Sequence, residues 1–504
     1  MKTPFRNIAK SYSVVLNSLG SLLVIFGFIT LLPIIFSLSY DKNIDITLSF
    51  LITSIISIGS GIFLRLAFKG KTPNNVQATF ITALGWIFIS AVAALPYVLI
   101  LHSSYLNSYF ESMSGFTTTG ITMLTGLDDM PKSIIFWRSL TQWIGGLGII
   151  TFFLLVYSKG AGAHKFFGAE SHKIASDRPV PGLKNTVTIL WGIYTLYTVI
   201  IFLLLLIAGL NFLDSLNHSL TTLSTGGFSP HDSSIAFYKI NSYPHYRLIE
   251  YIIIFGMFLG GTNFLIHYRL LQKDFKAFID TIEMKYWLSI ILGFTLIILL
   301  ERVLKGKLPT SFVALSKWEN DFRTTLFQVV SVITTTGFGT KDLFNPFFGY
   351  AAHQLFLVMM VIGGCVGSTG GGIKILRIAI LFKLIKREIY RIFYPSDSIN
   401  YIRIDKNPLD MQEVYRVSAL FFIWLILLLV GGLITSLFSN LNTIQSMSGM
   451  YSALGNIGPT FFSVDDMIAL KPIVKITYII GMLMGRLEIL PILLLFTPKA
   501  WKIY

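Results

Sequence analysis

Four short segments rich in serine, threonine and glycine recur along the chain, each between two long apolar runs. They read SGFTTTGIT, LTTLSTGGFS, SVITTTGFGT and SALGNIGPT. In three copies a serine precedes a glycine by six residues, and in the second copy Leu220 takes the place of that serine. The fourth copy offers Gly455 as a competing choice. The six-residue spacing aligns Gly120, Gly226, Gly337 and Gly458.

A second set of glycines supports the alignment, because it recurs in the apolar run that follows each segment. The pairs are Gly145-Gly146, Gly260-Gly261, Gly363-Gly364 and Gly485-Arg486. Two sets that agree in four places indicate four copies of one unit. Internal repeats in a membrane protein imply pseudo-symmetry, with the functional site at the interface between repeats.

The apolar runs are long enough to cross a membrane, since about 20 apolar residues in a helix span a hydrocarbon core of about 30 Å. The chain is 53% hydrophobic and 13% charged, which is too little charge for a soluble protein of 504 residues. We therefore expect an all-α polytopic membrane protein. Two N-terminal transmembrane helices, near 14–38 and 46–68, precede four helix–pore loop–helix repeats with pseudo-fourfold symmetry around one pore.

The predicted organisation is a two-helix extension at 1–75 and repeats at 76–157, 183–270, 284–391 and 412–496. The second helices of the repeats are expected near 133–157, 246–270, 350–387 and 472–496. Basic residues concentrate in the segments 65–71, 159–184, 269–285 and 383–406. This asymmetry places those segments and both termini in the cytoplasm, with the chain in a plasma membrane. It accounts for the net charge of +15 through membrane topology and lipid headgroups, so no nucleic-acid partner is expected.

Backbone that is not helical is tolerated at membrane depth only where it is buried in protein or lines a watery path. Glycine permits positive φ, so a strand that contains it can turn its carbonyl oxygens inward as a selectivity filter for a dehydrated cation. Threonine hydroxyls add oxygen ligands or brace the loop. Neutral oxygens suit a monovalent ion, since divalent sites collect carboxylates. The candidate filter residues are Thr118, Thr119, Gly120, Ser224, Thr225, Gly226, Thr335, Thr336, Gly337, Asn456, Ile457 and Gly458.

Four such units resemble the Trk/Ktr/HKT superfamily of potassium transporters over about residues 76–496. The two extra N-terminal spans and the segments GGCVGSTGGGIK and GRLE are more similar to the bacterial Trk membrane subunit than to Ktr or the plant proteins. The resemblance implies K⁺ as the transported ion, a homodimer, and a cytoplasmic nucleotide-binding regulatory subunit of the NAD or ATP type. Sodium-passing members often replace the first filter glycine with serine, so Gly120 favours potassium. Candidate residues for docking the subunit are Lys383, Lys386, Arg387 and Arg391.

The segment GGCVGSTGGGIK has six glycines in ten residues, which cannot hold a regular helix because each costs about 1 kcal/mol relative to alanine. The resemblance implies that this loop, 363–373, obstructs the pore and moves aside to open it. Arg486 lies within a span of repeat four and is expected to bind loop carbonyls, with Lys374 and Glu488 in the same network. The alternatives are close helix packing for the glycines and simple neutralisation of Arg486 by Glu488. The candidate gate residues are Gly363, Gly364, Gly367, Ser368, Thr369, Gly370, Gly371, Gly372, Lys374 and Arg486.

Two other functions are alternatives to a gated potassium pore. A potassium symporter coupled to H⁺ or Na⁺ stays open, because broken helices and midplane sites also occur in secondary transporters. A membrane enzyme would need paired acids, a histidine cluster or a nucleophile beside a base inside a span, and the sequence offers none of these. The single cysteine, Cys365, gives no cysteine metal site. We therefore expect no enzymatic activity and no bound cofactor.

Overall fold

The computed structural model describes residues 4–70, 72–148, 151, 183–307, 315–393, 401–405, 407–498 and 500–502. Within these ranges the regular structure is helical apart from a short antiparallel pair, β1 (Arg403–Ile404) with β2 (Asn407–Pro408), and one isolated bridge between Ile362 and Ile373. Six helices of the described chain are long and apolar enough to cross a membrane, and one bent pair of helices makes a seventh span.

The N-terminal extension is a helical hairpin. It consists of α1 (Pro4–Ile29), α2 (Pro33–Phe36) with a π-turn at Ser37–Asp41, and α3 (Ile44–Ala67). Serine hydroxyls of α3 donate to carbonyls of α1, Ser54 to Gly27 at 2.7 Å and Ser57 to Leu23 at 2.7 Å. Such hydrogen bonds hold helices together in lipid, where the hydrophobic effect between helices is absent.

Asp41 ties this hairpin to the first repeat. Its carboxylate accepts the backbone N–H of Lys132 at 2.7 Å and of Ser133 at 3.1 Å. These amides open an inner helix whose own N-cap residue, Pro131, provides no side-chain cap. An acid at a helix N-terminus satisfies unpaired donors and complements the helix dipole. The extension therefore caps an element that positions the pore.

Each repeat contains an outer helix, a pore helix and an inner helix. Repeat one has α4 (Asn75–Ala93), α5 (Leu95–Leu101), the pore helix α6 (Tyr105–Phe116) and the inner helix α7 (Lys132–Leu147). Repeat two has α8 (Leu183–Ile207), the pore helix α9 (Phe212–Leu223), α10 (Ala236–Ile240), and an inner helix made of α11 (Tyr246–Gly261) and α12 (Phe264–Leu271). The remainder of the predicted first repeat beyond Gly148, apart from Thr151, and most of the basic segment 159–184 lie outside the described residues.

The last two repeats have the same parts. After the short α13 (Lys276–Asp280), repeat three has α14 (Ile282–Leu304), the pore helix α15 (Leu315–Ile333), α16 (Tyr350–Met359) and α17 (Ile375–Arg391). Repeat four has α18 (Met411–Phe438), the pore helix α19 (Thr443–Gly455), α20 (Val464–Ala469), α21 (Pro472–Leu487) and α22 (Ile489–Leu495). Of the predicted basic segment 383–406, residues 394–400 and 406 lie outside the described residues.

The inner helices are broken more often than the sequence predicted. A break was expected in repeat three, but the continuous inner helices predicted for repeats two and four were wrong. In repeat two the chain bends by 104° between Gly261 and Phe264. In repeat four α21 and α22 meet at Glu488, whose φ is +61°. Both breaks follow a glycine that packs against backbone, which the apolar pattern alone does not reveal.

Glycines in the inner helices let the pore helices approach closely. An ideal Cβ on Gly145, Gly260 or Gly485 would lie no more than 2.6 Å from a backbone oxygen in the last turn of the pore helix of the same repeat. The three oxygens belong to Phe116, Leu223 and Leu454. Because only glycine leaves this room, each of these inner helices holds the C-terminal end of its pore helix in the centre of the molecule.

Candidate functional site

The chain makes the same turn after every pore helix. Three threonines and one asparagine adopt the left-handed conformation there, and a glycine with positive φ follows two residues later. The pairs are Thr118 and Gly120 (φ 53° and 80°), Thr225 and Gly227 (51° and 77°), Thr335 and Gly337 (58° and 88°), and Asn456 and Gly458 (55° and 109°). A β-branched residue in this conformation is a true outlier, and such strain concentrates at functional sites. Its recurrence in four loops identifies one shared structure.

This geometry corrects the predicted alignment in repeat two. Thr119, Thr336 and Ile457 donate their backbone N–H groups to Ser114, Ser331 and Ser452 at 2.9, 2.9 and 3.0 Å. The equivalent bond in repeat two runs from Gly226 to Thr221 at 2.9 Å.

Gly226 therefore matches Thr119, and Gly227, not Gly226, is the counterpart of Gly120. Ser224 likewise matches Thr117. The shift arose because two adjacent glycines and a missing serine left the spacing ambiguous in sequence. Exposure agrees with the corrected alignment, since Gly226 is buried while Gly227 is half-buried like the other three glycines.

The four loops close into a ring through contacts between neighbours. An ideal Cβ on each of the four glycines with positive φ would collide with the carbonyl oxygen of the residue before the corresponding glycine of the next repeat. Gly120 meets Gly226, Gly227 meets Thr336, Gly337 meets Ile457, and Gly458 meets Thr119. The widest of these separations is 2.9 Å, at the contact between repeats four and one. The order runs from the first repeat to the fourth and returns to the first, as a pseudo-fourfold ring requires.

The threonine hydroxyls of the ring bond within the protein. Thr117 Oγ1 lies 2.7 Å from Thr119 Oγ1, and the matching pair Thr334 and Thr336 lies at 2.8 Å. In repeat four the Asn456 amide donates to Thr119 Oγ1 and to the Met482 carbonyl, both at 2.8 Å. These contacts fix the loops from the side. Within the described ranges, no group of three or more His, Cys, Asp or Glu side chains could hold a metal ion.

The glycine-rich segment between α16 and α17 lies against the inner end of this ring. Thr369 Oγ1 is 3.1 Å from Thr225 Oγ1 and donates to the Leu223 carbonyl at 3.0 Å. The backbone N–H of Gly371 donates to Thr335 Oγ1 at 2.7 Å. The segment therefore touches two residues that carry the strained turns of repeats two and three.

The glycine-rich segment is anchored in the break between α11 and α12. The Cys365 N–H donates to the Gly261 carbonyl at 2.9 Å, and the Phe264 N–H donates to the Gly367 carbonyl at 3.1 Å. Glu283 of α14 accepts the Val366 N–H at 2.6 Å. The broken inner helix of repeat two thus supplies backbone groups that a continuous helix would have used internally.

Arg486 of repeat four connects repeats one, three and four beside the glycine-rich segment. Its guanidinium donates to the carbonyls of Thr369, Gly145 and Gly146, and to Thr118 Oγ1 at 3.2 Å. Lys374 donates to the Gly370 carbonyl within the glycine-rich segment. Glu488 pairs with Arg377 of α17 at 2.7 Å.

The structure therefore brings every predicted gate residue together. The remaining members complete the segment. Ser368 Oγ donates to the Cys365 carbonyl at 2.6 Å, and the Gly363 N–H donates to the Ile373 carbonyl at 2.9 Å. Gly364 accepts from Ile375 at 3.2 Å, and Gly367 and Gly372 have φ values of 70° and 67°.

Several known membrane transport proteins are similar to this chain. The profile of the family TrkH, described as a cation transport protein, matches residues 46–503. This chain belongs to the TrkH family. A curated relative, the Trk system potassium uptake protein TrkH of Escherichia coli K12, is 30% identical over 490 residues, covering 96% of this chain and 98% of the relative. An uncharacterized cation transporter of Methanocaldococcus jannaschii is 35% identical over 499 residues, covering 97% and 96%.

A solved structure agrees with the family assignment. The crystal structure of the potassium transporter TrkH from Vibrio parahaemolyticus matches with a TM-score of 0.83 at 28% sequence identity, covering 97% of this chain and 99% of that chain. The predicted superfamily and the predicted fold class, an all-α polytopic membrane protein with four helix–pore loop–helix repeats, are confirmed. TrkH family membership makes this chain a membrane transport protein.

A polar brace that the sequence pattern did not predict lies behind the ring. Arg138 of α7 is 2% exposed and donates to Glu111 of the first pore helix at 2.8 Å, to Ser229 O at 3.0 Å and to Thr122 Oγ1 at 3.2 Å. Glu111 also accepts the Met123 N–H at 2.7 Å. The brace joins the outer ends of the first two loops. The available signal was an arginine within the predicted second helix of repeat one, in the segment FWRSLTQW, because a charge within a span normally has a specific partner.

The residues predicted to dock a regulatory subunit lie on α17, which continues from the glycine-rich segment. Lys386 and Arg391 are exposed, whereas Lys383 and Arg387 are half-buried. Lys383 donates to the Arg403 carbonyl, which joins α17 to the small β-pair. The same helix therefore connects a basic surface to the segment beneath the ring.

Proposed function

We propose that this protein carries potassium ions into the cell through the ring of four pore loops. The observation that carries the proposal is the contact of each filter glycine with a carbonyl of the next repeat, which closes the four loops into one ring. The proposed ion path runs through the centre of this ring. Backbone carbonyls beside that path replace the hydration shell of a cation, and neutral oxygens favour a monovalent one. Four pore helices direct the negative ends of their dipoles towards the same place. The names of the potassium-transporting relatives support the same ion.

The proposed filter strands are the three-residue segments that end at each filter glycine. In repeat two the strand is Thr225, Gly226 and Gly227, so Gly226 contributes the carbonyl that precedes the filter glycine. Ser224 precedes this strand. The strands of the other repeats are Thr118–Gly120, Thr335–Gly337 and Asn456–Gly458.

The glycine-rich segment, with Arg486, is the proposed gate. Residues Thr369 and Gly371 bond the inner face of the ring, and Arg486 places a positive charge at the same depth. A cation can leave the filter only when these contacts are exchanged for others. The glycines allow this, because a loop without side chains can move past the ring with little steric hindrance.

The proposed setting is the plasma membrane, corresponding to a bacterial inner membrane, with both termini in the cytoplasm. The basic segments that include Lys386 and Arg391 then face the cytoplasm, as the distribution of positive charge favours. A homodimer and a cytoplasmic subunit that binds NAD or ATP are proposed partners. The name "Trk system" of the Escherichia coli relative implies that this relative works with further components.

The test is uptake of ⁸⁶Rb⁺ into proteoliposomes by the wild type, by Gly337→Ser and by a deletion of residues 367–371. We expect uptake that potassium inhibits better than sodium, a weaker preference in Gly337→Ser and a higher flux in the deletion. Gly293→Ser is the matched control, because no atom lies within 4 Å of an ideal Cβ at that position in α14. If neither the wild type nor the deletion variant carries a monovalent cation, the proposal that the ring is a pore is wrong.

The same vesicles separate a channel from a symporter. Uptake that continues without sodium and with the proton gradient collapsed supports a channel. Uptake that stops under either condition identifies the coupling ion and replaces the channel proposal with a symport mechanism.

A further inference from the structure

We propose that Gln142 of α7 is a positioning residue that fixes the second filter strand and thereby sets the ion selectivity of the ring. This inference rests on the proposed function. It starts from an irregularity among the four repeats. The residue before the filter glycine has a side chain in three repeats, Thr119, Thr336 and Ile457, but is Gly226 in the second.

Gln142 occupies the space that the missing side chain leaves. An ideal Cβ on Gly226 would lie 2.9 Å from the Cβ of Gln142 and closer still to its amide carbon and oxygen. Gln142 belongs to the inner helix of repeat one, and its side chain is fully buried. A side chain from one repeat thus completes the filter strand of the next.

The Gln142 amide also bonds the backbone on both sides of Gly227. Its Nε2 donates to the Gly226 carbonyl at 2.5 Å, and its Oε1 accepts the Phe228 N–H at 3.0 Å. Two adjacent glycines have more backbone freedom than any other pair of residues, so this strand lacks the internal stiffness of the other three. The amide provides a donor and an acceptor where this strand would otherwise turn freely.

No other inner helix offers an amide at this position. The residue three places before the first glycine of each pair is Gln142 in repeat one, whereas the corresponding residues of the other repeats are methionines, Met257, Met360 and Met482. One turn before Gln142, Arg138 bonds the Ser229 carbonyl and lies 4.1 Å from the centre of the Phe228 ring. Two polar side chains of α7, one helical turn apart, therefore hold the strand from Gly226 to Ser229.

The Gly226 carbonyl contributes to the ring of oxygens, so its direction matters for the ion. A buried carbonyl that loses its side-chain donor is free to rotate, and the spacing of the ring becomes uneven. A potassium filter with uneven spacing still conducts, but it distinguishes poorly between ions of different radius. We expect removal of the amide to change selectivity more than flux.

The first experiment uses Gln142→Met, which introduces the residue found in the other repeats and keeps the volume while removing the amide. In proteoliposomes that take up ⁸⁶Rb⁺, the ratio of potassium to sodium inhibition should fall about tenfold, as expected for the loss of two hydrogen bonds. Met257→Leu is the matched control at the corresponding position of repeat two and should retain the ratio. A role in packing alone would leave Gln142→Met as selective as the wild type, and that result overturns the proposal.

A double-mutant cycle tests whether Gly226 and Gln142 have complementary shapes. Gly226→Ala alone should lower both uptake and melting temperature, because its methyl group overlaps Gln142. The combination with Gln142→Gly should recover part of both, since a glycine removes the amide and also the Cβ that lies 2.9 Å from the new methyl group. If Gly226→Ala is tolerated beside Gln142, or if the combination is no better than the single variant, the proposal fails. The melting temperatures report this coupling even for a protein that carries no ion, so failure of the pore and failure of Gln142 are distinguishable.

Discussion

At the scale of single residues, two requirements meet at each filter glycine. The backbone is left-handed, and the space beside Cα belongs to a carbonyl of the next repeat. Gly227 illustrates both, with φ at 77° and the Thr336 carbonyl in the place of a Cβ. Gly126 isolates the first requirement, because its φ is 74° and no atom lies within 4 Å of an ideal Cβ.

Gly126 and Gly227 should therefore respond differently to replacement by alanine. Gly126→Ala should cost about 1–2 kcal/mol of stability, the strain of a left-handed alanine, and leave ⁸⁶Rb⁺ uptake intact. Gly227→Ala should bring uptake to background, because its methyl group displaces a carbonyl of the ring. Melting temperature and uptake, measured on both variants, separate the two effects. Equal uptake by the two variants would contradict the corrected alignment and the role of Gly227.

The individual filter residues were predictable where the chain repeats a spacing and unpredictable where it does not. The serine six residues before Gly120, Gly337 and Gly458 aligned three loops that share the left-handed turn. In repeat two, Gly226 and Gly227 are equivalent in sequence, and the structure distinguishes them by φ, by the bond to Thr221 and by exposure. Gln142 could not be assigned at all, since its partners belong to another repeat.

At the scale of elements, the Thr369 hydroxyl makes several of the hydrogen bonds that hold the glycine-rich segment to the ring. Thr369 Oγ1 is within 3.0 Å of the Leu223 and Gly260 carbonyls and 3.1 Å from Thr225 Oγ1. Among the residues that the structure describes, the neighbouring Ser368 hydroxyl bonds within the segment, to the Cys365 carbonyl at 2.6 Å. Adjacent hydroxyls thus differ in whether they join the segment to the ring.

Replacement of each hydroxyl tests this difference. Thr369→Val keeps the shape and removes the bonds, so the closed segment should lose about 1–3 kcal/mol relative to an open one. We expect a basal ⁸⁶Rb⁺ flux that rises several-fold. Ser368→Ala serves as the control and should leave basal flux near that of the wild type. A Thr369→Val protein that is as tightly closed as the wild type would show that the hydroxyl does not hold the segment.

The broken inner helix of repeat two shows why breaks within the helices were harder to predict than the apolar segments that cross the membrane. The run from Gly260 to Leu271 is apolar enough to read as one continuous helix, and local propensity gives no reason to stop at Thr262. The interruption depends on Cys365 and Gly367, about 100 residues later in the chain, which take up the freed backbone groups. Hydropathy depends only on neighbouring residues in the sequence, so it cannot reveal partners that lie far away along the chain.

At the scale of the whole molecule, side chains also join the repeats outside the ring. His231, after the second filter strand, contacts Asp128 of repeat one through Nδ1 at 2.5 Å and Asp214 through Nε2 at 3.2 Å. Its ring stacks on Phe237 with centroids 3.5 Å apart. Burial lowers the pKa of His231, but the hydrogen bonds and negative charges of Asp214 and Asp128 outweigh burial and raise it.

The raised pKa of His231 predicts a pH-dependent stability. A folded pKa above the unfolded value of about 6.5 gives a contribution that is complete below that pH and disappears as the pH rises through the folded pKa. The melting temperature of the wild type should therefore fall on the alkaline side of about pH 6.5 more than that of His231→Gln. His245→Gln alters an exposed histidine of the same outer segment and should follow the wild type. Parallel curves for the wild type and His231→Gln would exclude the contribution.

The contact between Gly458 and the Thr119 carbonyl also determines when the pore can exist during the life of the chain. Synthesis proceeds from the N-terminus, and the early segments insert first. Thr119 enters the bilayer long before its neighbour in the last repeat has left the ribosome. Until then the first three loops form an arc with an open side. We therefore expect that a nascent chain without repeat four contains no closed ring and conducts no ions.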